Sequence, residues 1–302
     1  MSLTTTAPQL RTEALTIGYE QRSVVENLNV QIPEGLFTVI VGPNACGKST
    51  LLRALARLIK PRGGHVLLDG KNVTTLPAKE LARRLGLLPQ SSIAPDGITV
   101  AELVARGRYP HQKLLRQWST ADEAAVMEAM DATGVTSLSG RSVDELSGGQ
   151  RQRVWVAMVL AQQTPLLLLD EPTTFLDIAH QIELLELCRD LNKDKGHTLV
   201  AVLHDLNHAC RYADHIIAMK GGAVVAEGAP ADVITEELVE EVFGMPCQII
   251  EDPVSHTPLV VPLGRHRRKA KGPKRTDAPS FTADGVEPAP AAIHLASRAH
   301  TP

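Results

Sequence analysis

A glycine-rich segment that ends in lysine and serine is the first place where residue types and spacing predict chemistry. The run Gly42-Pro43-Asn44-Ala45-Cys46-Gly47-Lys48-Ser49 fits the pattern GxxxxGK[ST], and Thr50 follows it. Glycines let consecutive backbone N–H groups turn toward an anion, and a helix that begins there points its positive end at the same place. We therefore expect this segment to bind nucleotide phosphates, with Lys48 on the β- and γ-phosphates and the Ser49 hydroxyl on Mg²⁺.

Two adjacent carboxylates follow a run of four leucines at residues 166–169. Such a run is typical of a strand buried on both faces. Asp170, at the end of this strand, is predicted to hold Mg²⁺. Glu171 is predicted to polarise the attacking water, by accepting its proton or by orienting it. The alternative, a charged pair that caps a surface strand, is disfavoured by the four leucines and by the phosphate loop earlier in the chain.

Short apolar runs alternate with helical patterns along the chain, and these elements must position the residues above. Strands are predicted at residues 37–41, 65–68, 85–88, 166–169, 198–203 and 215–219, and a helix at residues 51–59. The alternation predicts an α/β fold whose parallel sheet is covered on both faces. Between residues 90 and 147 only helical patterns occur, such as 100–106 and 121–132, which predicts a helical insertion.

Composition and charge narrow the class of protein. The chain has 302 residues, 43% of them hydrophobic and 22% charged, as in a globular protein. No apolar run approaches the ~20 residues of a membrane-spanning helix, and we expect no secretory signal. The four cysteines lack metal-binding spacing and are expected to be free thiols. Residues 1–264 carry 23 basic against 31 acidic side chains, which disfavours a nucleic-acid partner.

The segment Leu146-Ser147-Gly148-Gly149-Gln150 resembles the signature of ABC-type ATPases, which other P-loop kinases and GTPases lack. A serine and two glycines at a helix start can present N–H donors to a γ-phosphate. In the family these donors serve the nucleotide of the opposite subunit. The resemblance thus implies ATP sandwiched between two copies of the chain, with Ser147, Gly148, Gly149 and Gln150 acting in trans.

Four further positions match family elements in the expected order. Gln90 resembles the glutamine that senses Mg²⁺ and water and links to a membrane subunit. His204 resembles the switch histidine on the γ-phosphate, and Asp177 resembles the loop aspartate near the partner's site. Tyr19 resembles the aromatic that stacks on adenine, although alone it could equally be a surface tyrosine. The resemblance implies the catalytic set Lys48, Gln90, Glu171 and His204, and the Mg²⁺ ligands Ser49, Gln90 and Asp170.

The implied fold is a P-loop NTPase core of ABC ATPase type over residues 8–264. It consists of a mostly parallel sheet flanked by helices, an N-terminal antiparallel β part, and a helical subdomain inserted at about residues 91–160. The family does not require residues 265–302, which form a basic tail rich in proline and alanine. We expect this tail to be disordered and dispensable for hydrolysis.

Weaker strings resemble the importer ATPases for iron–siderophore, haem and cobalamin permeases, most closely the iron–siderophore group. They comprise residues 106–111, 170–178, 180–181, 203–207, 210–212 and 242–244, the Cys247 region and residues 252–253. The implied partners are a second copy, membrane permease subunits and, indirectly, a substrate-binding protein. The implied location is the cytoplasmic face of the membrane.

Several alternatives stay open from the sequence. The same motor could serve haem or cobalamin import. A soluble ABC ATPase of DNA repair or translation is disfavoured, because each motif occurs once and no sustained heptads lie between Gln90 and Ser147. A regulatory subunit that switches without turnover is disfavoured because Gln90, Glu171 and His204 are all present.

Overall fold

The computed structural model describes residues 9–20, 22–90, 93–112, 118–174 and 176–264. The predicted tail therefore lies outside the described residues, as does Phe175. The strands of the described part are β1 (Leu10–Tyr19), β2 (Arg22–Leu28), β3 (Gln31–Ile32), β4 (Phe37–Val41), β5 (Gly63–Leu68), β6 (Lys71–Asn72), β7 (Leu85–Leu88), β8 (Leu166–Asp170), β9 (Thr198–Val202), β10 (His215–Lys220), β11 (Ala223–Gly228), β12 (Cys247–Glu251) and β13 (Pro258–Pro262). The helices are α1 (Lys48–Leu55), α2 (Ala78–Ala82), α3 (Val100–Ala105), α4 (Thr120–Ala132), α5 (Gly148–Ala161), α6 (Ile178–Lys193), α7 (Leu206–Tyr212), α8 (Pro230–Val233) and α9 (Glu236–Phe243), with 3-10 turns at Arg106–His111, Thr136–Leu138 and Val143–Glu145.

The main sheet has the strand order β11-β10-β4-β9-β8-β7 and is parallel except for β11. Five of the six predicted strands lie in it, which confirms the expected parallel sheet. The run at residues 65–68 also forms a strand, but β5 pairs antiparallel with β1 in a second sheet of order β2-β1-β5-β6. Its burial alternates, so only one face meets the core, as in antiparallel sheets.

The side chains of the parallel strands alternate between two cores, which explains their continuous apolar runs. Ile40, Leu166 and Leu168 pack with α1 and the antiparallel sheet. Val41 and Leu169 point to the opposite face, where α3 to α7 cover the sheet. Because the sheet is parallel, the loops that follow β4, β7, β8 and β9 emerge along one edge, where ligands bind in folds of this kind.

The predicted helical insertion is present. In the described residues between Gln90 and Ser147 no strand occurs beyond one isolated bridge, and α3 and α4 begin with capping boxes at Thr99 and Ser119. The helix after the phosphate loop is shorter than predicted and ends at Leu55, because Arg57 takes a left-handed φ of 61°. Within the part of the chain that the structure describes, no helix has the length and apolarity needed to cross a membrane.

Candidate nucleotide site

The loop between β4 and α1 owes its shape to three residues with positive φ. These are Gly42 at 154°, Ala45 at 61° and Gly47 at 106°. A Cβ on Gly42 would lie 2.2 Å from the carbonyl oxygen of Met219, so no larger residue fits without moving backbone. Gly47 directly precedes α1, whose first turn therefore opens onto the loop. The sequence pattern and the local backbone thus agree on a phosphate-binding loop.

Lys48 places a positive charge at the centre of this loop. The side chain is buried, and its Nζ donates hydrogen bonds to the carbonyl oxygens of Gly42 at 2.8 Å and Pro43 at 2.9 Å. The loop forms one wall of a cavity of about 500 Å³. Of the residues predicted to bind nucleotide, its lining includes Tyr19, Asn44, Ala45, Cys46, Gly47, Lys48, Ser49 and Thr50, together with Glu171 and His204.

Asp170 is a buried carboxylate with unsatisfied oxygens. Neither Oδ1 nor Oδ2 has a hydrogen-bond partner among the described residues, and the nearest cation is Arg53, whose Nε lies 3.5 Å from Oδ2. Burial raises the pKa of Asp170. The Ser49 hydroxyl lies close enough to oppose that shift but not in hydrogen-bond geometry, and Arg53 opposes it as well. A buried carboxylate with free lone pairs beside a serine hydroxyl fits a hard cation such as Mg²⁺.

Glu171 is held on both carboxylate oxygens. Its Oε2 accepts a hydrogen bond from Gln90 Nε2 at 2.7 Å, and its Oε1 lies 2.8 Å from His204 Nε2. The Thr174 hydroxyl adds a longer bond to Oε2 at 3.4 Å. Glu171 also has a φ of 53°, a left-handed conformation that costs a non-glycine residue energy and is typical of functional sites. Glu171 therefore links the other two predicted residues, through a hydrogen bond from Gln90 and a close contact with His204.

The sheet order explains why these three residues meet. Gln90 follows β7, Glu171 follows β8 and His204 follows β9, and these strands are neighbours in parallel register. Their C-terminal ends therefore lie side by side. β4, which precedes the phosphate loop, is the next strand beyond β9.

The signature lies on a different surface of the same chain. Ser147 caps α5 and shares a capping box with Gln150, the side chain of each accepting from the backbone N–H of the other at 3.2 to 3.3 Å. Ser147 and Gly148 are exposed, and none of the four signature residues lines the cavity. Asp177 is also absent from the cavity wall and caps α6, with its Oδ1 accepting from the His180 backbone at 3.0 Å.

Sequence reasoning missed part of the cavity wall. The unpredicted lining residues are Arg22, Ser23, Val24, Gly221 and Gly222. The glycine pair was a usable signal, since such a doublet marks a turn. A Cβ on Gly222 would lie 2.1 Å from the Val24 carbonyl oxygen, so the β10–β11 turn needs glycine to approach β2. Arg53 carried no local signal, because its contact with Asp170 depends on how α1 packs on β8.

The site combines a phosphate loop after one strand with a glutamine, an acidic pair and a histidine after three neighbouring strands. This combination defines a P-loop nucleotide-binding ATPase. Comparison with known proteins specifies the family. The family model described as ABC transporter matches residues 25–174. Ferric enterobactin transport ATP-binding protein FepC of Escherichia coli (strain K12) is 61% identical over 263 residues, which cover 87% of this chain and 97% of that protein. The chain belongs to the ABC transporter family, as an ATP-binding subunit.

Two further comparisons agree with this assignment. Probable siderophore transport system ATP-binding protein YusV of Bacillus subtilis (strain 168) is 55% identical over 258 residues, covering 85% of this chain and 94% of that protein. The dimeric post-hydrolysis structure of the ATP-binding cassette MJ0796 with ADP and Pi superimposes with a TM-score of 0.65 at 29% identity, covering 73% of this chain and 98% of that one. The predicted family, fold class and ATPase activity are confirmed.

Proposed function

We propose that this chain is the ATP-hydrolysing subunit of an importer for iron–siderophore complexes, acting as two copies bound to permease subunits at the cytoplasmic face of the membrane. The observation that carries the proposal is the line from Gln90 through Glu171 to His204 beside the phosphate loop. The cargo class is supported by two relatives at 61% and 55% identity whose names refer to ferric enterobactin and siderophore transport.

Hydrolysis in this site depends on positioning and on charge neutralisation. Lys48 neutralises charge on the phosphates, since its ammonium is already buried at the loop. Glu171 accepts a proton from the attacking water or orients it. Both of its oxygens are in contact with a neighbour, one through a hydrogen bond from Gln90 and one through the approach of His204. One of these contacts must therefore be exchanged for the water, and His204, the more exposed partner, is the residue we expect to turn toward the γ-phosphate.

Mg²⁺ would be held by Asp170, the Ser49 hydroxyl and the side-chain oxygen of Gln90. When bound, Mg²⁺ would supply positive charge beside the phosphates during transfer. The unpartnered oxygens of Asp170 support this proposal. Among the described residues no cluster of three or more His, Cys, Asp or Glu could hold a metal by itself. That fits an ion which takes the rest of its ligands from phosphates and water.

The second copy would complete each site. The α5 N-terminus is exposed on its own chain and does not line its own cavity. An exposed helix start with free N–H groups is suited to a phosphate brought by another molecule. We therefore assign Ser147, Gly148, Gly149 and Gln150, with Asp177, to the nucleotide held by the opposite copy. Closure of the pair would move Gln90 and the helical insertion, which we expect to contact the permease.

The substitution Glu171→Gln tests the catalytic part of the proposal. Loss of the carboxylate should lower the rate of ATP hydrolysis by about 10²- to 10⁴-fold, while ATP binding and ATP-dependent dimerisation persist. Glu237→Gln, an exposed position in the first turn of α9, is the matched control and should hydrolyse ATP normally. Near-normal turnover by the Glu171 variant would refute its assigned role.

Reconstitution tests the cargo. The chain is purified with the membrane protein that co-purifies with it, placed in proteoliposomes with the cognate binding protein, and supplied with ATP. Uptake of radiolabelled ferric siderophore is the expected result. Uptake of haem or cobalamin instead would overturn the cargo while leaving the ATPase assignment intact.

A further inference from the structure

The side chain of His180, in the first turn of α6, has no place in the chemistry described above but is held firmly. Its Nδ1 lies 2.7 Å from Asp177 Oδ1, the same oxygen that accepts from the His180 backbone N–H at 3.0 Å. His180 thus contacts Asp177 twice, through a hydrogen bond from its backbone and through the close approach of its ring.

The same ring lies beside the signature. A Cβ built on Gly149 would be 3.9 Å from His180 Nδ1 and 3.5 Å from Leu176 Cδ2, both within van der Waals contact. The start of α5 and the start of α6 are therefore close neighbours, with room for about one methyl group between Gly149 and the other two residues. An alanine at position 149 would fill this space, and a longer side chain would meet Leu176 and His180.

Two glutamines clamp the loop that joins β8 to α6. The Gln152 side-chain amide on α5 donates to the Pro172 carbonyl at 3.0 Å. On α6, the Gln181 amide donates to the Leu176 carbonyl at 3.0 Å and to the Thr173 carbonyl at 3.4 Å. These hydrogen bonds connect three segments to one another: the loop after Glu171, the signature helix α5 and the first turn of α6.

The N-cap of α6 accounts for the bond that Asp177 accepts from the His180 backbone, but not for its contact with the His180 ring. Asp177 is 67% exposed and lies outside the nucleotide cavity of its own chain. An exposed carboxylate held by two contacts loses side-chain entropy that solvent alone would not require. Preorganisation of this kind is expected where a side chain must meet a partner in one geometry.

We propose that His180 is a positioning residue. It fixes the carboxylate of Asp177 beside Gly149, so that Asp177 and Gly149 meet the nucleotide of the second copy in a fixed relative geometry. The inference rests on the proposed function, because it requires composite sites between two copies. His180 acts through Asp177 and the signature and need not touch ATP.

The test compares three variants in steady-state ATP hydrolysis by the full chain. His180→Ala should lower kcat roughly tenfold, since the ring's 2.7 Å contact with the Asp177 carboxylate is lost. Its KM for ATP and its affinity for a fluorescent ATP analogue should stay within about twofold of wild type, because its own cavity is untouched. His180→Asn should restore most of kcat, because the Asn amide nitrogen can donate to Asp177 from nearly the position of Nδ1. His256→Ala removes a comparable exposed His–Glu pair with Glu251 at 2.6 Å and should change nothing.

Wild-type kcat in His180→Ala would overturn the inference, and so would an Asn variant as slow as the Ala variant. Dimerisation separates this failure from that of the proposed function. In the Glu171→Gln background, ATP should drive dimer formation by sedimentation, and adding His180→Ala should weaken it. If Glu171→Gln alone stays monomeric with ATP, composite sites and the inference both fail. If it dimerises and His180→Ala does not weaken the dimer, only the inference fails.

Discussion

The buried carboxylate of Asp170 should cost the protein stability when no nucleotide is bound. Both of its oxygens lack hydrogen-bond partners among the described residues, and its side chain has no exposed surface. Asp170→Asn keeps the volume of the side chain and removes its charge. We therefore expect the variant to unfold at higher urea concentration than wild type in the absence of nucleotide, although it should lose ATP hydrolysis.

The structure sets the size of this effect. A buried polar group without partners costs about 1–3 kcal/mol, and more when it is charged. Arg53 offsets part of this cost, because its Nε lies 3.5 Å from Asp170 Oδ2. The asparagine amide also finds no full set of partners. The net gain should therefore be about 1–2 kcal/mol in the free energy of unfolding, or roughly 2–8 °C in Tm for a domain of this size.

Urea unfolding with and without MgATP is the assay. Wild type should gain about 2.7 kcal/mol at a ligand concentration of 100 Kd, and the Asp170 variant should gain far less because the carboxylate that we propose as a Mg²⁺ ligand is removed. Asp214→Asn is the matched control. Its carboxylate accepts from the Phe37 backbone N–H at 3.0 Å and pairs with Lys193 Nζ at 2.6 Å, so this variant should lose about 1 kcal/mol. A nucleotide-free Asp170→Asn less stable than wild type would refute the reasoning.

Three further predictions concern stability. Burial lowers the pKa of His197, so on acidification the unfolded chain takes up a proton that the folded chain does not. The free energy of unfolding should therefore fall as pH drops below about 6.5. His197→Asn should flatten the curve of urea midpoint against pH, and an unchanged slope would contradict this. Leu168→Ala should lower the free energy of unfolding by about 3 kcal/mol, measured in urea, because Leu168 is buried. Leu58→Ala, at an exposed position, should lower it by under about 0.5 kcal/mol. Equal losses would be inconsistent with the two-core packing. The Asn207 side chain forms hydrogen bonds with both backbone groups of Val260, at 2.7 and 3.3 Å. Asn207→Ala should therefore lower the free energy of unfolding by about 1–3 kcal/mol and raise hydrogen exchange in β13. Full protection of β13 in this variant would count against the contact.

Much of the fold could be predicted because its signals are local. A parallel strand buried on both faces reads as a continuous apolar run, as at residues 166–169, and five such runs became strands of the main sheet. Residues 65–68 form a similar run but joined the antiparallel sheet, because strand pairing depends on distant residues of β1. The helix end at Leu55 was missed since Arg57 is a good helix former that takes a left-handed φ.

The candidate site also divides into features that follow from local sequence and features that depend on distant residues. The phosphate loop could be predicted because one short segment supplies its anion-binding groups. The contacts of Glu171 with Gln90 and His204 could not be derived from spacing, since they require the order β9-β8-β7. The family resemblance supplied those residues, and the structure supplies their contacts. The assignment of Ser147 and Asp177 to a second copy, like the boundary of the domain at residue 264, stays a prediction.

Mixing two inactive variants tests the central claim, that each site is built from two copies. Lys48→Ala removes the phosphate-loop charge, and Ser147→Arg blocks the signature, so each variant alone should hydrolyse ATP only at background rate. A mixed dimer unites the intact loop of one chain with the intact signature of the other. An equimolar mixture should therefore recover roughly a quarter of wild-type activity, because random pairing gives half of the dimers one complete site. A mixture no more active than its two components would contradict composite sites.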